Sequence, residues 1–302
     1  LISGPGCPVC VTQVGFIDEA IYLALERQVT ICTFGDLVRV PGTNMSLAGA
    51  REKGAKIRIV YSPVDAKEYA KEHPKEQVTF LSVGFETTTP SACLSVKKAR
   101  EEGLTNYSIL TANKTMPQAY EALKGSADIF LYPGHVNAIT GTKLCEELAK
   151  EGVSGVVAGF TAKELLTALA VALVRFQEGK PFFVNCYPRV VTREGSREAQ
   201  RLVNELMEGC DSEWRGLGII PGSGMQLREE WEAYDARKKY NMPKIEGKAN
   251  PACRCGDVLQ GKCKPSDCKV FGKVCTPQHP VGACMVSGEG ACSAYYMYDT
   301  RG

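Results

Sequence analysis

Val78-Thr79-Phe80-Leu81-Ser82-Val83 is a short apolar, partly β-branched run. Gly84-Phe85-Glu86-Thr87-Thr88-Thr89-Pro90 follows as a turn-forming stretch, then a helical pattern over 91–102, then a second apolar run at 107–111. Strand, helix and strand in this order predict a parallel pair joined by a helical crossover. The alternation extends outward. Further strand-like runs lie at 57–61, 128–132, 155–158 and 182–185, with helical patterns at 66–71, 118–123, 143–150, 163–176 and 197–207. Within 163–176, Leu165, Leu169 and Leu173 recur every four residues, which predicts a packed face.

The pattern repeats. Ile59-Val60-Tyr61-Ser62-Pro63 is similar to Ile129-Phe130-Leu131-Tyr132-Pro133, Val83-Gly84-Phe85-Glu86 to Ala158-Gly159-Phe160-Thr161, and Leu110-Thr111-Ala112-Asn113 to Phe182-Phe183-Val184-Asn185. The offsets of 70, 75 and 72 residues predict two α/β domains of like topology with a boundary near residue 125. A length of 302 residues accommodates this without disulfide staples. Charges of 36 basic against 34 acidic exclude a strongly basic nucleic-acid binder. The longest strongly apolar stretch, 165–174, is too short to span a bilayer, and no secretory signal pattern is visible.

Cysteine is the unusual component. Seven of the 14 cysteines lie in the last 50 residues: Cys253, Cys255, Cys263, Cys268, Cys275, Cys284 and Cys292. Three readings compete. A disulfide framework needs an oxidising compartment, to which nothing here points. A zinc module uses close C-x2-4-C pairs, and this tail has only a Cys-x-Cys and a Cys-x4-Cys. An iron–sulfur cluster needs four thiolates at looser spacing, and is the favoured reading. The segment is rich in Gly and Pro and poor in apolar mass, so a bound centre is expected to organise it.

The front of the chain carries Gly4-Pro5-Gly6-Cys7-Pro8-Val9-Cys10. Two thiols at this spacing form a small disulfide, chelate one metal ion, or supply half of a structural zinc site. A helix is expected from about Val14, with Phe16, Ile17, Ala20, Ile21 and Ala24 on one face; its N-terminus would favour thiolate. Cys32, Cys93, Cys145, Cys186 and Cys210 read as buried, inert thiols.

Ligand sites in parallel sheets lie beyond the carboxyl ends of strands. Two loops there stand out. In Gly84–Pro90, a threonine N-cap and Pro90 in the first helical turn explain all but Glu86. In Pro133-Gly134-His135-Val136-Asn137, His135 is one of three histidines. Ile220-Pro221-Gly222-Ser223-Gly224 lacks phosphate-loop spacing and reads as a hinge before a helix at Trp231.

Gly4–Cys10, Gly84-Phe85-Glu86-Thr87-Thr88, Pro133-Gly134-His135-Val136 and the tail from Cys253 to Tyr296 together resemble the HypD family of [NiFe]-hydrogenase maturation factors, over essentially the whole chain. The tail alone carries Cys-Arg-Cys-Gly, Cys-Thr-Pro and Cys-Met-Val-Ser-x-Glu-Gly-x-Cys-x-Ala-Tyr-Tyr. The resemblance implies an α/β fold: two similar parallel-sheet domains, 1–125 with the Cys-x-x-Cys loop and 126–235, plus a small cysteine-rich domain, 236–302, holding a [4Fe–4S] cluster. It implies a scaffold that assembles the Fe(CN)2CO centre of [NiFe]-hydrogenases. Such a protein is closer to a redox-active assembly factor than to a turnover enzyme. Its partners would be a HypC-like chaperone and a HypE-like cyanide donor, in the cytoplasm, with no nucleic acid or membrane.

The family's ligand spacing C-x14-C-x6-C-x16-C selects Cys253, Cys268, Cys275 and Cys292 for the cluster. Cys255 and Cys284 then resemble the thiol–disulfide pair beside the cluster of ferredoxin–thioredoxin reductase, and Cys263 fits neither role. Cys7 and Cys10 look like thiols that bind a single iron or pass electrons during cyanide transfer, with Glu86 and His135 supplying protons or hydrogen bonds. The alternative function is an iron–sulfur-dependent thiol–disulfide reductase. The family pattern also includes an upstream Cys-Gly-Thr-His iron ligand segment; this chain starts at Leu1 without it and reads as truncated. Gly159-Phe160-Thr161-Ala162 stands where an acidic Gly-Phe-Glu-Pro is expected, and Cys186 where glutamine is expected.

Overall fold

The structure, a computed structural model, describes residues 2–298. The fold is α/β. Strands β1 (Thr30–Thr33), β2 (Ile57–Ile59), β3 (Val78–Ser82) and β4 (Tyr107–Thr111) form a parallel sheet in the order β2-β1-β3-β4. Strands β5 (Phe130–Pro133), β6 (Gly155–Ala158) and β7 (Phe183–Asn185) form a second parallel sheet in that order. Every residue of β1, β3 and β4 is buried, as expected of strands covered on both faces. The crossover helix Thr89–Glu101 buries Ala92, Cys93, Val96 and Ala99, one stripe at helical spacing. Helix Val14–Glu26 begins where expected and buries Phe16, Ile17, Ala20 and Ala24; Leu23 is buried while Ile21 is only half-buried.

Several expectations need correction. β1 was missing from the sequence reading, and it changes the repeat. It lies between β2 and β3, so the strand beside β3 that corresponds to β5 beside β6 is β1, not β2. The β3–β4 and β6–β7 pairs do match. Thr88 is the N-cap of helix Thr89–Glu101, but its hydroxyl donates back to the Phe85 carbonyl at 3.2 Å instead of capping. His135 lies in the first turn of helix Gly134–Thr140, not in a loop.

The segment 220–224 is no hinge. It belongs to β9 (Gly218–Leu227), paired antiparallel with β8 (Met207–Trp214). Trp231 follows in the 3-10 turn Glu229–Tyr234. Trp214 is fully buried, and its indole N–H donates to Ser223 Oγ at 2.7 Å. The hairpin tip reaches the front loop: Arg215 N donates to the Val11 carbonyl at 2.8 Å, and its Nε donates to the Thr12 carbonyl at 2.8 Å. On its other side Gly216, at φ +80°, lies so close to Gly256 that a Cβ there would meet Gly256 Cα at 2.2 Å.

The leucine stripe of helix Ala162–Phe176 is not its buried face. Leu165 is 39% and Leu173 63% exposed and Leu169 is half-buried, while Ala168 and Ala172 are buried against Val156 and Ala158 of β6; Leu166, outside the stripe, is 67% exposed. Small residues let the helix lie close to the sheet. Ala168→Leu should therefore cost about 1–3 kcal/mol by overpacking, and Leu166→Ala less than about 0.5 kcal/mol, both read from urea unfolding midpoints. Equal costs would contradict this packing.

Candidate functional site

The cysteine-rich region is built from short elements. Cys255 opens helix Cys255–Leu259, Cys284 sits in the 3-10 turn Ala283–Met285, and Cys292 lies in helix Ala291–Tyr298. Cys268 ends the 3-10 turn Pro265–Asp267. Six thiols, those of Cys253, Cys255, Cys268, Cys275, Cys284 and Cys292, line one small cavity. Backbone groups hold some of them in place: Val281 N–H donates to Cys275 Sγ at 3.3 Å, and Cys268 Sγ faces the Ala252 carbonyl at 3.8 Å. Gly282 lets the chain pass close by, since a Cβ there would meet Cys253 Sγ at 2.4 Å. All fourteen cysteines are free. Among the described residues, no three His, Cys, Asp or Glu side chains converge on a point that would hold one metal ion; the six thiols instead surround a common space.

The front pair joins this region. Cys7 and Cys10 are 3% and 0% exposed and belong to the same buried cluster as Cys255, Cys275, Cys284 and Cys292. Cys10 Sγ faces the Ala283 carbonyl at 4.0 Å, beside Cys284. Thiol side chains interact in series: Cys7 with Cys10, Cys10 with Cys284, Cys284 with Cys255 and Cys292, and Cys255 with Cys253. Cys7 is held below its ordinary thiol value, chiefly by the Cys10 side chain and against burial. Cys10 is pushed well up: Cys284 pulls it down, but Cys7 and burial outweigh that. The contrast makes Cys7 the better thiolate of the pair. Cys10 and Val11 lie in the short helix Pro8–Val11, so the helix from Val14 does not supply the nearest N-terminus.

Of the thiols read as inert, Cys32 and Cys93 are each pushed up to about 12 by burial, and Cys145 to about 11. Cys186 and Cys210 are only half-buried, contrary to expectation. Cys263 is also half-buried and lies outside the cavity lining.

Glu86 and His135 occupy different settings. Glu86 Oε1 accepts from Met116 N–H at 2.9 Å, and Oε2 is buried without a partner. Burial raises this carboxyl from 4.5 to about 7, against the Met116 N–H. His135 is exposed and stacks on Phe160, ring centroids 3.8 Å apart. At the position corresponding to Glu86, Thr161 caps its helix in a reciprocal pair with Glu164. The sequence reading missed Arg215 and Gly282. A single arginine before a glycine carries no signal of its own; Gly282, two residues before Cys284, does, as a backbone approach beside a candidate ligand.

The chain matches the HypD family profile, described as "Hydrogenase formation hypA family", over residues 1–299. It is 41% identical over 311 residues to the hydrogenase maturation factor HypD of Cupriavidus necator, covering 99% of this chain and 82% of that protein. It is 43% identical to the HypD of Rhizobium leguminosarum bv. viciae, covering 99% and 81% respectively. The HypD of Escherichia coli is 40% identical over 303 residues, covering 98% and 81%. A buried array of free thiols on an α/β frame and these whole-chain matches agree: the chain belongs to the HypD family of hydrogenase maturation factors.

Proposed function

We propose that this protein is a scaffold on which the Fe(CN)2CO centre of a [NiFe]-hydrogenase is assembled, with electrons passed between thiols. The observation that carries this is the burial of Cys7 and Cys10 in one core with Cys255 and Cys284, with Cys10 Sγ facing the Ala283 carbonyl beside Cys284. From Cys7 through Cys10 and Cys284 to Cys255 each thiol perturbs the next. Six free thiols around one cavity fit an iron–sulfur group, with Cys253, Cys268, Cys275 and Cys292 as its ligands. A [4Fe–4S] cluster bound there would supply single electrons at low potential.

The chain's own residues account for the rest. A carrier thiocyanate, R–S–C≡N, takes two electrons and one proton to give R–SH and cyanide. Cys7 and Cys10 supply both electrons by forming their disulfide; of the two protons released, one goes to the carrier sulfur and one to solvent. Cys284 then attacks the Cys10 sulfur, and Cys255 resolves the mixed disulfide. This leaves Cys7 and Cys10 reduced and moves the disulfide to Cys255–Cys284. In the reduced state, Cys7 and Cys10 are soft ligands for the iron cargo. Cys7 lies one residue beneath the exposed Gly6, so the cargo meets it through the front loop. Glu86 holds a proton near neutrality, and His135 offers an exposed imidazole. The partners on this reading are a HypC-like chaperone and a HypE-like cyanide donor. Free thiols throughout suit the reducing cytoplasm. The buried front pair favours this reading over a general disulfide reductase, whose thiol must meet its partner's surface.

Three outcomes follow. Protein prepared without oxygen should be brown, with about four irons and four sulfides per chain, and Cys268→Ala should lose most of both; colourless protein with stoichiometric zinc would falsify the reading. Cys284→Ser should keep its iron and sulfide but leave a Cys7–Cys10 disulfide oxidised after the cluster is reduced, as mapped by differential alkylation and mass spectrometry. Reduction at an unchanged rate would exclude the series as the route. Glu86 binds a proton in the folded state between pH 4.5 and about 7 that the unfolded chain has released. Its stabilising effect is therefore full below that window and lost as pH rises through it, by up to about 3 kcal/mol. Glu86→Gln should flatten the fall in stability over this window, measured by denaturant unfolding at stepped pH.

A further inference from the structure

Beside the thiol cavity lies an open cleft of about 1120 Å³. One wall comes from the front domain, at Gly42–Ser46, and the other from Lys248–Pro251 and Pro280–Gly282. Cys253, Arg254, Cys255 and Gly282 line both the cleft and the cavity, so a wall one residue thick separates solvent from the thiols. Gly282 adds no side chain to that wall, and a Cβ there would collide with Cys253 Sγ. Electron transfer weakens exponentially with distance through protein, so this is the shortest way in from solvent that the two cavities define.

The cleft also has a sign. Arg39, Arg215, Lys248 and Arg254 line it, against Glu52 and Asp257. Arg254 is paired with Asp257 at 2.9 Å. Arg39 donates to the carbonyls of Pro277 and Val286, and Arg215 to those of Thr12 and Pro41. Both guanidinium groups are thus held in place by neutral acceptors, which fix their positions without cancelling their charge. Lys248 is exposed, and its backbone N–H donates to Thr43 Oγ1 at 2.8 Å. With Arg254 and Asp257 paired, Arg39, Arg215 and Lys248 outnumber Glu52, and the mouth of the thin wall is net positive.

We propose that this cleft is the docking face for an acidic, one-electron carrier protein of the ferredoxin class, which feeds the cavity through the Cys253–Gly282 wall. The inference rests on the function proposed above and names its electron source by class. Each docking oxidises one carrier by one electron. Two dockings, with two protons from solvent, convert the Cys255–Cys284 disulfide to two thiols and reset the series.

The test uses the full chain with its cluster reconstituted without oxygen, and an acidic plant-type ferredoxin as the probe. Calorimetric titration should show binding that weakens with added salt, and weakens roughly tenfold in Lys248→Glu. Lys180→Glu, an exposed charge reversal outside the cleft lining, should bind as the unchanged chain does. Single-turnover reduction by the reduced carrier should slow in the same proportion, while an uncharged small reductant reduces all three proteins alike. Equal binding by Lys248→Glu and Lys180→Glu, or binding indifferent to salt, overturns the docking face and leaves the scaffold reading intact. A chain that takes up no iron or sulfide yet binds the carrier through Lys248 overturns the scaffold reading and supports the docking face.

Discussion

The tip of the β8–β9 hairpin fastens the rest of this molecule together. Arg215 hydrogen-bonds the carbonyls of Val11 and Thr12 through its backbone N–H and its guanidinium, and Gly216 packs backbone to backbone on Gly256. Gln260 adds a bond to the Gly216 carbonyl at 2.7 Å. Three segments distant in sequence thereby meet at two adjacent residues: the loop after Cys10, the hairpin tip, and the helix that begins at Cys255. Hydrogen bonds from a charged group to buried carbonyls contribute about 1.5–3 kcal/mol each. This clasp fixes the loop after Cys10 on the side of the core where Cys10 meets the turn that carries Cys284.

The two sheets show one frame put to two uses. In the first, the turn after β3 sends a carboxylate into the interior, where Glu86 Oε2 has no partner. In the second, the matching turn after β6 places Thr161, which spends its side chain on capping. The first turn carries an energetic burden that local structure does not require, and the second does not. Burying a carboxyl in this way costs free energy that the matching turn of the second sheet avoids.

The parallel α/β frame was legible because apolar runs of strand length alternate with stripes of helical spacing. β1 escaped notice because Thr-Ile-Cys-Thr is short and half polar. The hairpin escaped because β8 reads Met-Glu-Gly-Cys-Asp-Ser-Glu-Trp, with Gly and Asp inside a strand, and Gly222-Ser223-Gly224 looks like a turn. Its stability comes from the buried Trp214 and from pairing across the hairpin, neither of which periodicity records. The leucines of Ala162–Phe176 do not mark the packed face, because a four-residue stripe states which residues are apolar, not which face a sheet will accept. Here the close approach favoured alanine. The tail cysteines were legible as a group. That Cys10 meets Cys284 was not, since no local signal encodes a contact 274 residues apart in sequence.

Cys7 and Cys10 lie in the same packed core as Phe85, Trp214 and Met285. Interiors this dense have almost no slack, and a change in one side chain's size or shape is felt by its neighbours. Joining or separating the two sulfurs is therefore also a mechanical event. It would alter the volume that the front loop presents to the core in which Trp214 of the hairpin also sits. Cys7 and Cys10 are thus a point where the front segment and the cysteine-rich tail share one packing problem, and a change of volume at either sulfur is felt on both sides.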